Sequence, residues 1–281
     1  MCVCIEPIHY TRNALSSLSI RFPSTLALLL HQSRSLSLVS IATMVDAKQV
    51  RFIVGIIGNV ISFFLFFSPM PTFWRIFKNK SVEEFQPWPY VATMMNCMLW
   101  VFYGLPVVHK DSILVTTINA VGMGFEAFYI SVFLIYCGGK KNFRRNIGLY
   151  LVAEVIAVAG IVLITLFAIQ NEFAKQTFVG VICDVFNIAM YGAPSLVIKK
   201  VIRTRSVEYM PFLLSFVSFV NAGIWTAYSL IYKLDLYVLI SNGLGTALCA
   251  SQLIVYGLYR NATPRDEDKT KPSEIEIPAT A

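Results

Sequence analysis

Two tryptophans and two asparagines stand inside long apolar segments of this sequence. Trp100 and Trp225 each lie near the middle of such a segment, and Asn119 and Asn242 each lie six residues into one. An indole ring can stack on the apolar C–H face of a cyclic ligand, and a carboxamide both donates and accepts hydrogen bonds, as hydroxyl groups require. Together the four side chains are suited to a sugar-like ring that carries several hydroxyls.

Both pairs belong to an internal repeat. A shift of 125 residues aligns residues 55–103 with 180–228 without a gap and superposes the two tryptophans. A shift of 123 residues superposes the two asparagines, each the first residue of an Asn-x-x-Gly motif. For one membrane asparagine, hydrogen bonding between helices is the simpler explanation. Pairs at equivalent places in two halves favour a shared site on the axis between the halves.

The composition places the chain in a membrane. Of its 281 residues 56% are hydrophobic and 14% are charged, whereas ordinary globular proteins have roughly 25% charged residues. The net charge of +7 comes from Lys and Arg clusters that separate apolar runs. This pattern indicates membrane topology rather than nucleic-acid binding.

Seven apolar runs are long enough to cross about 30 Å of hydrocarbon as helices. Helices are predicted because the lipid interior offers the backbone no other hydrogen-bond partners. The predicted spans are Phe52–Phe73, Pro89–Val108, Ile113–Cys137, Ile147–Gln170, Phe178–Ile198, Met210–Tyr232 and Leu236–Tyr259. The fourth has no copy in the repeat, and it supplies the crossing that gives both triplets the same orientation. The sequence therefore predicts an all-α membrane protein with seven transmembrane helices, arranged as two parallel three-helix repeats joined by a linker helix.

The Lys and Arg clusters also predict orientation and boundaries. They follow the first, third, fifth and seventh spans, so the positive-inside rule puts the N-terminus outside and the C-terminus in the cytosol. The predicted segments are an N-terminal extension (1–43), a first repeat (50–138), a linker helix (146–171), a second repeat (178–260) and a disordered tail (261–281). The extension is interpreted either as a targeting segment or as the product of a start upstream of Met44.

Catalysis finds little support in the sequence. It has no His-Glu-x-x-His, no glycine-rich phosphate loop and no histidine inside a span. Its cysteines show no metal-ligand spacing. Neither an enzyme nor a cofactor is predicted.

The doubled pattern Pro…Ser-Val-Glu…Trp-x-x-Tyr…Asn-x-x-Gly resembles the SWEET sugar transporters, the MtN3/saliva family of plants. The resemblance covers about residues 50–260. It implies bidirectional, energy-independent uniport by alternating access, with a sugar as partner besides the lipid bilayer. It also implies a plasma-membrane location, with an intracellular membrane as the alternative, and association into a homo-oligomer, with a trimer as one form.

The resemblance also implies roles for individual residues. Asn96 and Asn221, one turn before each tryptophan, match the pair that tunes pocket size, and two asparagines favour a hexose over a disaccharide. The implied roles are as follows: sugar pocket, Trp100, Trp225, Asn119, Asn242, Asn96 and Asn221; hinge prolines, Pro69, Pro89, Pro194 and Pro211; extracellular gate, Tyr103 and Asp235. Pro211 has no ungapped partner, since Gln86 stands opposite, so the hinges are expected to be asymmetric.

Two other readings remain open. Glu126, Glu154 and Asp184 lie inside predicted spans, where acidic residues commonly serve function. None has a matching acid in the other repeat, so they are interpreted as packing or cavity residues with hydrogen-bond partners; the alternative is a proton-coupled carrier of the PQ-loop type. A seven-helix receptor agrees with the helix count but not with the repeat.

Overall fold

The computed structural model describes residues 24–138, 141–208 and 210–262, with the backbone alone for 24–45. The chain forms two compact units, Met1–Ala47 and Lys48–Ala281. The described part of the first unit is helical. The predicted tail lies outside the described residues from 263 onward, as do residues 1–23 of the predicted extension. The side-chain contacts and the site described below all lie in the second unit.

Every regular element of the described residues is helical, which confirms the all-α prediction. The helices are α1 (Ser24–Phe67), α2 (Met70–Asn79), α3 (Trp88–Gly104), α4 (Ile113–Tyr136), α5 (Lys141–Leu163), α6 (Glu172–Met190), α7 (Gly192–Thr204), α8 (Phe212–Leu230) and α9 (Leu236–Tyr259). A short π-helical turn, Ile164–Ala168, follows α5.

Six helical stretches of the described residues are long and apolar enough to cross a membrane. The remaining predicted span, Pro89–Val108, is shorter than expected, because its helix α3 has 17 residues and ends at Gly104. The most apolar window of α4 is 39% buried within the protein, against 6% for the stretch Lys141–Ala168. The linker helix therefore lies at the periphery, with most of its apolar side chains facing outward.

The first span of each half is broken, which corrects the prediction of single helices over Phe52–Phe73 and Phe178–Ile198. Pro69 has no N–H for the Leu65 carbonyl, and the Ser68 N–H (3.1 Å) and hydroxyl (2.7 Å) bond that carbonyl instead. In the second half α6 ends at Met190, four residues before Pro194. The helix pairs α1–α2 and α6–α7 thus replace one helix each.

The repeated Ser-Val-Glu motif forms the turn that follows α2 and α7. Lys80 and Arg205, which end these helices, both adopt the left-handed conformation, with φ of 50° and 51°. In each copy the serine hydroxyl accepts a hydrogen bond from the glutamate N–H, at 3.2 and 3.4 Å. The motif therefore reverses the chain direction twice in the same way.

The glycines of the two Asn-x-x-Gly motifs allow an aromatic ring to pack against the backbone. A Cβ on Gly122 would lie 2.5 Å from Phe66 Cζ, and one on Gly245 would lie 2.8 Å from the Tyr191 hydroxyl. Phe66 and Tyr191 are themselves separated by 125 residues, the offset of the repeat. Both halves thus pack their first and third spans together in the same manner.

Candidate functional site

A cavity of about 540 Å³ lies between the two halves. Its wall includes all six residues predicted for the sugar pocket, contributed by four helices: Asn96 and Trp100 from α3, Asn119 from α4, Asn221 and Trp225 from α8, and Asn242 from α9. Tertiary structure therefore brings together side chains that are up to 146 positions apart in the sequence.

Asn119 and Asn242, the asparagines of the two Asn-x-x-Gly motifs, have equivalent hydrogen bonds. The Asn119 amide donates to the Val115 carbonyl at 2.8 Å, and the Asn242 amide donates to the Val238 carbonyl at 3.0 Å. Each amide is thus held by the preceding turn of its own helix. This contact fixes the orientation of the side chain, while the carboxamide remains on the cavity wall.

The two Asn–Trp pairs, in contrast, differ in their hydrogen bonds. Ser62 of α1 donates to Asn221 Oδ1 at 2.6 Å and accepts from Trp225 Nε1 at 3.1 Å. The Asn96 carbonyl oxygen is buried and has no hydrogen-bond partner among the described residues. The second pair is therefore held by the protein itself, whereas the first keeps a side-chain acceptor without a partner among the described residues.

Beside Trp100 of the cavity wall lies a cluster of four residues that includes the predicted gate pair, and we call this cluster the gate: Tyr103, His109, Ser112 and Asp235. Asp235 is fully buried, and it accepts hydrogen bonds from the Tyr103 hydroxyl at 2.6 Å and the Ser112 hydroxyl at 3.3 Å. His109 stacks on Tyr103, and its Nδ1 lies 3.4 Å from Asp235 Oδ2. Tyr103 and Asp235, the predicted gate pair, are therefore in contact.

Charged residues surround the gate. Burial lowers the pKa of His109 below its ordinary value, although the Asp235 carboxylate acts in the opposite direction. The Arg51 guanidinium lies 4.3 Å from the centre of the Tyr228 ring and donates to the Asp111 carbonyl oxygen at 3.2 Å. These contacts connect α1, the α3–α4 loop and α8.

The four predicted hinge prolines stand at or near helix starts, but only Pro69 and Pro89 are on the cavity wall. Pro194 is the third residue of α7, and Pro211 is the residue before α8. The residue before α3 is Pro87 rather than Pro89. Pro87 is thus the structural counterpart of Pro211 and reduces the expected asymmetry.

The three acids inside the spans have different surroundings. Glu126 is buried and lies on the cavity wall. Asp184 is buried and accepts a hydrogen bond from the Ser241 hydroxyl, and the Ser241 carbonyl accepts one from Tyr191. Glu154 belongs to the peripheral helix α5 and is not part of the wall. The cavity therefore has one acidic side chain on its wall.

Several wall residues are absent from the sequence prediction, among them Ser62 and Asn187. These two are also 125 residues apart, and both are polar within a predicted span. The repeat offset would therefore have found them, had it been applied to polar residues that differ in type between the halves.

Comparison with known proteins identifies the family. The family model "Sugar efflux transporter for intercellular exchange" (MtN3_slv) matches residues 52–141 and 177–264. The chain belongs to this family, the SWEET transporters. The family is one of transporters and not of enzymes, as the sequence analysis predicts.

Relatives and a solved structure agree with the family. The bidirectional sugar transporter SWEET8 of Arabidopsis thaliana is 72% identical over 237 residues, 84% of this chain and 99% of the relative. SWEET7b of Oryza sativa subsp. indica is 46% identical over 238 residues, 85% of this chain and 87% of the relative. A eukaryotic SWEET transporter solved at 3.7 Å matches with a TM-score of 0.73 at 36% identity, covering 76% of this chain and 99% of that chain.

Proposed function

We propose that this protein is a bidirectional, energy-independent uniporter of sugars, with hexoses such as glucose as its main substrates. The observation that supports this most directly is the cavity between the halves, whose wall combines two tryptophans with five asparagines. The indoles provide apolar surfaces for one face of a pyranose, and the carboxamides provide donors and acceptors for its hydroxyls.

Asn96 and Asn221 are the basis for proposing a hexose. Each lies one turn from a tryptophan on the same helix, so its side chain occupies space beside the indole. Smaller residues at both positions would leave room for a second sugar ring. Replacing both by Ala is expected to increase sucrose transport relative to glucose.

Transport in our proposal follows alternating access. In our proposal the contact between Tyr103 and Asp235 closes the extracellular end of the cavity, whose wall runs along α3 from Trp100 to Pro89 near the start of that helix. With the orientation predicted from the Lys and Arg clusters, this arrangement is a state that is closed to the outside and faces the cytosol. A sugar that binds both states with similar affinity would move down its gradient without another energy source.

The residue types on the described cavity wall favour uniport over proton coupling, because a carrier that moves protons commonly pairs an acid with a basic side chain. Among the cavity-wall residues of the described chain none is Lys, Arg or His. A uniporter predicts uptake that is unchanged by an uncoupler. A proton-coupled carrier predicts that the uncoupler removes accumulation and that an intramembrane acid is essential.

Uptake of labelled glucose and sucrose in yeast without its own hexose carriers tests the proposal. We expect the wild type to take up glucose in preference to sucrose, and Asn119→Ala and Asn242→Ala each to lower glucose uptake at least about tenfold, because two or more sugar hydrogen bonds are lost. Asn59→Ala is a matched control, since Asn59 bonds Thr117 at 2.9 Å and is not on the cavity wall. Unimpaired uptake by both variants at equal surface expression would refute the proposed pocket.

Location and assembly are part of the same proposal. We propose a plasma-membrane protein with its N-terminus outside and its C-terminus in the cytosol, associated as a homo-oligomer. Antibody labelling of epitope tags at the two termini, with and without permeabilisation, tests the orientation. Light scattering of the purified protein in detergent gives the number of chains.

A further inference from the structure

Glu126 is a buried acidic side chain on the wall of the cavity that no role above explains. It is 4% exposed, and its Oε2 atom has no hydrogen-bond partner among the described residues. No ion pair involving Glu126 occurs in the described part of the chain either. A carboxyl group in such surroundings loses water without gaining a protein partner, which is costly unless a ligand supplies one.

The position of Glu126 on α4 relates it to the proposed sugar pocket. It follows Asn119 by seven residues, so the two side chains lie on the same face of the helix, about 10 Å apart along its axis. Both are on the cavity wall, with Gly122 and its packing partner Phe66 between them. The same face of α4 thus presents two polar groups to the cavity, Asn119 and, two turns further along the helix, Glu126.

The second half has no counterpart to this group. Cys249 is 123 residues after Glu126, the repeat offset for this helix, and it is not part of the wall. The same cavity wall includes Tyr90 and Thr93 of α3 and Ser218 of α8, all of which have hydroxyl groups. Among the described residues of the wall, Glu126 is the one ionisable carboxyl group, and no Lys, Arg or His accompanies it.

We propose that Glu126 is a second sugar-binding residue, which hydrogen bonds hydroxyls of a monosaccharide as it moves between the asparagine pair and the end of the cavity near Pro69 and Pro89. The inference rests on the proposed function and adds a second hydroxyl-binding position to it. A carboxylate can accept two hydroxyls at once, and a protonated carboxyl can donate one hydrogen bond and accept others. Either form suits adjacent hydroxyls of a pyranose, and neither requires a cation.

Deoxy sugars combined with Glu126 variants test this proposal. Glucose uptake and its inhibition by 2-, 3-, 4- and 6-deoxyglucose are measured for wild type, Glu126→Gln and Glu126→Leu at equal surface expression. We expect Glu126→Leu to raise the KM for glucose about 3- to 10-fold, the effect of one or two lost hydrogen bonds. At least one deoxy sugar, the one that lacks the contacting hydroxyl, should bind the wild type more weakly than glucose does. The same deoxy sugar should bind Glu126→Leu as well as glucose does, because losing the carboxyl group and losing the hydroxyl remove the same hydrogen bond and are not additive.

Glu154→Gln is the matched control. Glu154 is an acid of a membrane helix whose Oε2 is also buried without a partner, but it is not on the cavity wall. It should keep the wild-type KM and the wild-type order of deoxy sugars. If Glu126→Leu does not reach the cell surface, Glu126→Gln tests the proposal instead. Its amide keeps one acceptor, so we expect a smaller rise in the KM for glucose together with a changed order of the deoxy sugars.

Three outcomes would overturn the proposal. One is an unchanged KM and deoxy-sugar order in the Glu126 variants. Another is an equal change in Glu154→Gln, which would indicate a general effect of removing an intramembrane acid. The third is wild-type uptake that depends on a proton gradient and loses this dependence in Glu126→Gln, which would make Glu126 a proton site. Failure of the proposed function itself is distinguishable, because the wild type would then transport no sugar.

Discussion

At the break in its first membrane span, one half of this transporter has Phe66 where the other has Tyr191. Both rings pack against the glycine of an Asn-x-x-Gly motif, so the two halves share a backbone arrangement. The tyrosine hydroxyl also donates to the Ser241 carbonyl and accepts from the Asn187 amide at 2.9 Å. The second half therefore adds hydrogen bonds to a contact that is purely apolar in the first.

The same difference appears at the tryptophans. Trp225 and Asn221 are both bonded to Ser62, whereas Asn96 keeps an unpartnered oxygen, and the one acidic wall residue, Glu126, also belongs to the first half. We infer that the second half forms a fixed wall and that the first half supplies polar groups that are free to bind substrate. A symmetric fold thus carries an asymmetric distribution of hydrogen bonds.

The largest expected difference between the halves is at Tyr103 and Tyr228, which occupy equivalent positions. Tyr103 donates to a buried carboxylate at 2.6 Å, whereas Tyr228 contacts the Asp111 carbonyl oxygen at 3.4 Å. Tyr103→Phe should cost about 1.5–3 kcal/mol, because hydrogen bonds to charged groups are the stronger class, and Tyr228→Phe less than about 1 kcal/mol. Thermal unfolding in detergent should show a Tm lower by about 4–10 °C for the first variant only.

Equal Tm shifts for the two variants would contradict the asymmetry of the gate. A larger shift for Tyr228→Phe would show that its stacking with Arg51 depends on the hydroxyl.

A second difference concerns Tyr191. Tyr191→Phe makes the second half resemble the first, and it should lower stability by about 1–2 kcal/mol because two neutral hydrogen bonds are lost. Tm in detergent measures the effect. Tyr150→Phe is the control, since Tyr150 is 57% exposed on α5, and it should leave the Tm unchanged. A Tyr191→Phe variant as stable as the wild type would refute the additional stabilisation of the second half.

A smaller effect is expected at Ser62. Ser62→Ala removes the bonds that hold Asn221 and Trp225, so the fixed wall should become mobile and the KM for glucose should rise about 2- to 5-fold. Ser131→Ala is the control, since the Ser131 hydroxyl bonds only the Ala127 carbonyl of its own helix among the described residues, at 2.7 Å. A lower KM in Ser62→Ala would mean that releasing these groups helps binding, contrary to our inference.

The smallest effect is a dependence of the gate on pH. The pKa of His109 is lowered in the closed gate, mainly by burial, and would return to about 6.5 on opening to water. Protonation therefore favours the open gate, and the closed form loses stability as pH falls from this value toward the lowered pKa. Spin labels at the exposed positions Val107 and Leu234 should move apart on acidification.

His109→Gln should remove this pH dependence, because Gln does not titrate in the range. A label distance that shortens at low pH would mean that the attraction between protonated His109 and Asp235 outweighs the cost of burial. The nearby charges of Asp111 and Lys233 do not change over this range, since their ion pair, at 3.0 Å, lowers the pKa of Asp111 and raises the pKa of Lys233.

Much of the fold was predictable because the length of the apolar runs and the internal repeat can both be read directly from the sequence. The positions of the helices followed from both. The residues themselves indicated four of the six wall residues, and the family resemblance added Asn96, Asn221 and the pairing of Tyr103 with Asp235. The breaks at Pro69 and before Pro194 were expected as hinges, but not as ends of helices. Ser62 and Asn187 were missed because the repeat was read from matching residue types, and these two differ. The missing hydrogen-bond partner of Glu126 Oε2 could not be predicted, because it depends on contacts between helices that are distant in sequence.

The sequence by itself determined the helices, the repeat and the kinds of side chain at the site, since these depend on composition and periodicity. Only the tertiary structure decided which polar groups have partners. Two asparagines that match in the repeat, Asn96 and Asn221, differ because Ser62 donates to Asn221, whereas Asn187, at the position equivalent to Ser62, donates to Tyr191. Hydrogen bonding depends on a few tenths of an ångström between helices, and the spacing of residues along one chain does not specify that distance.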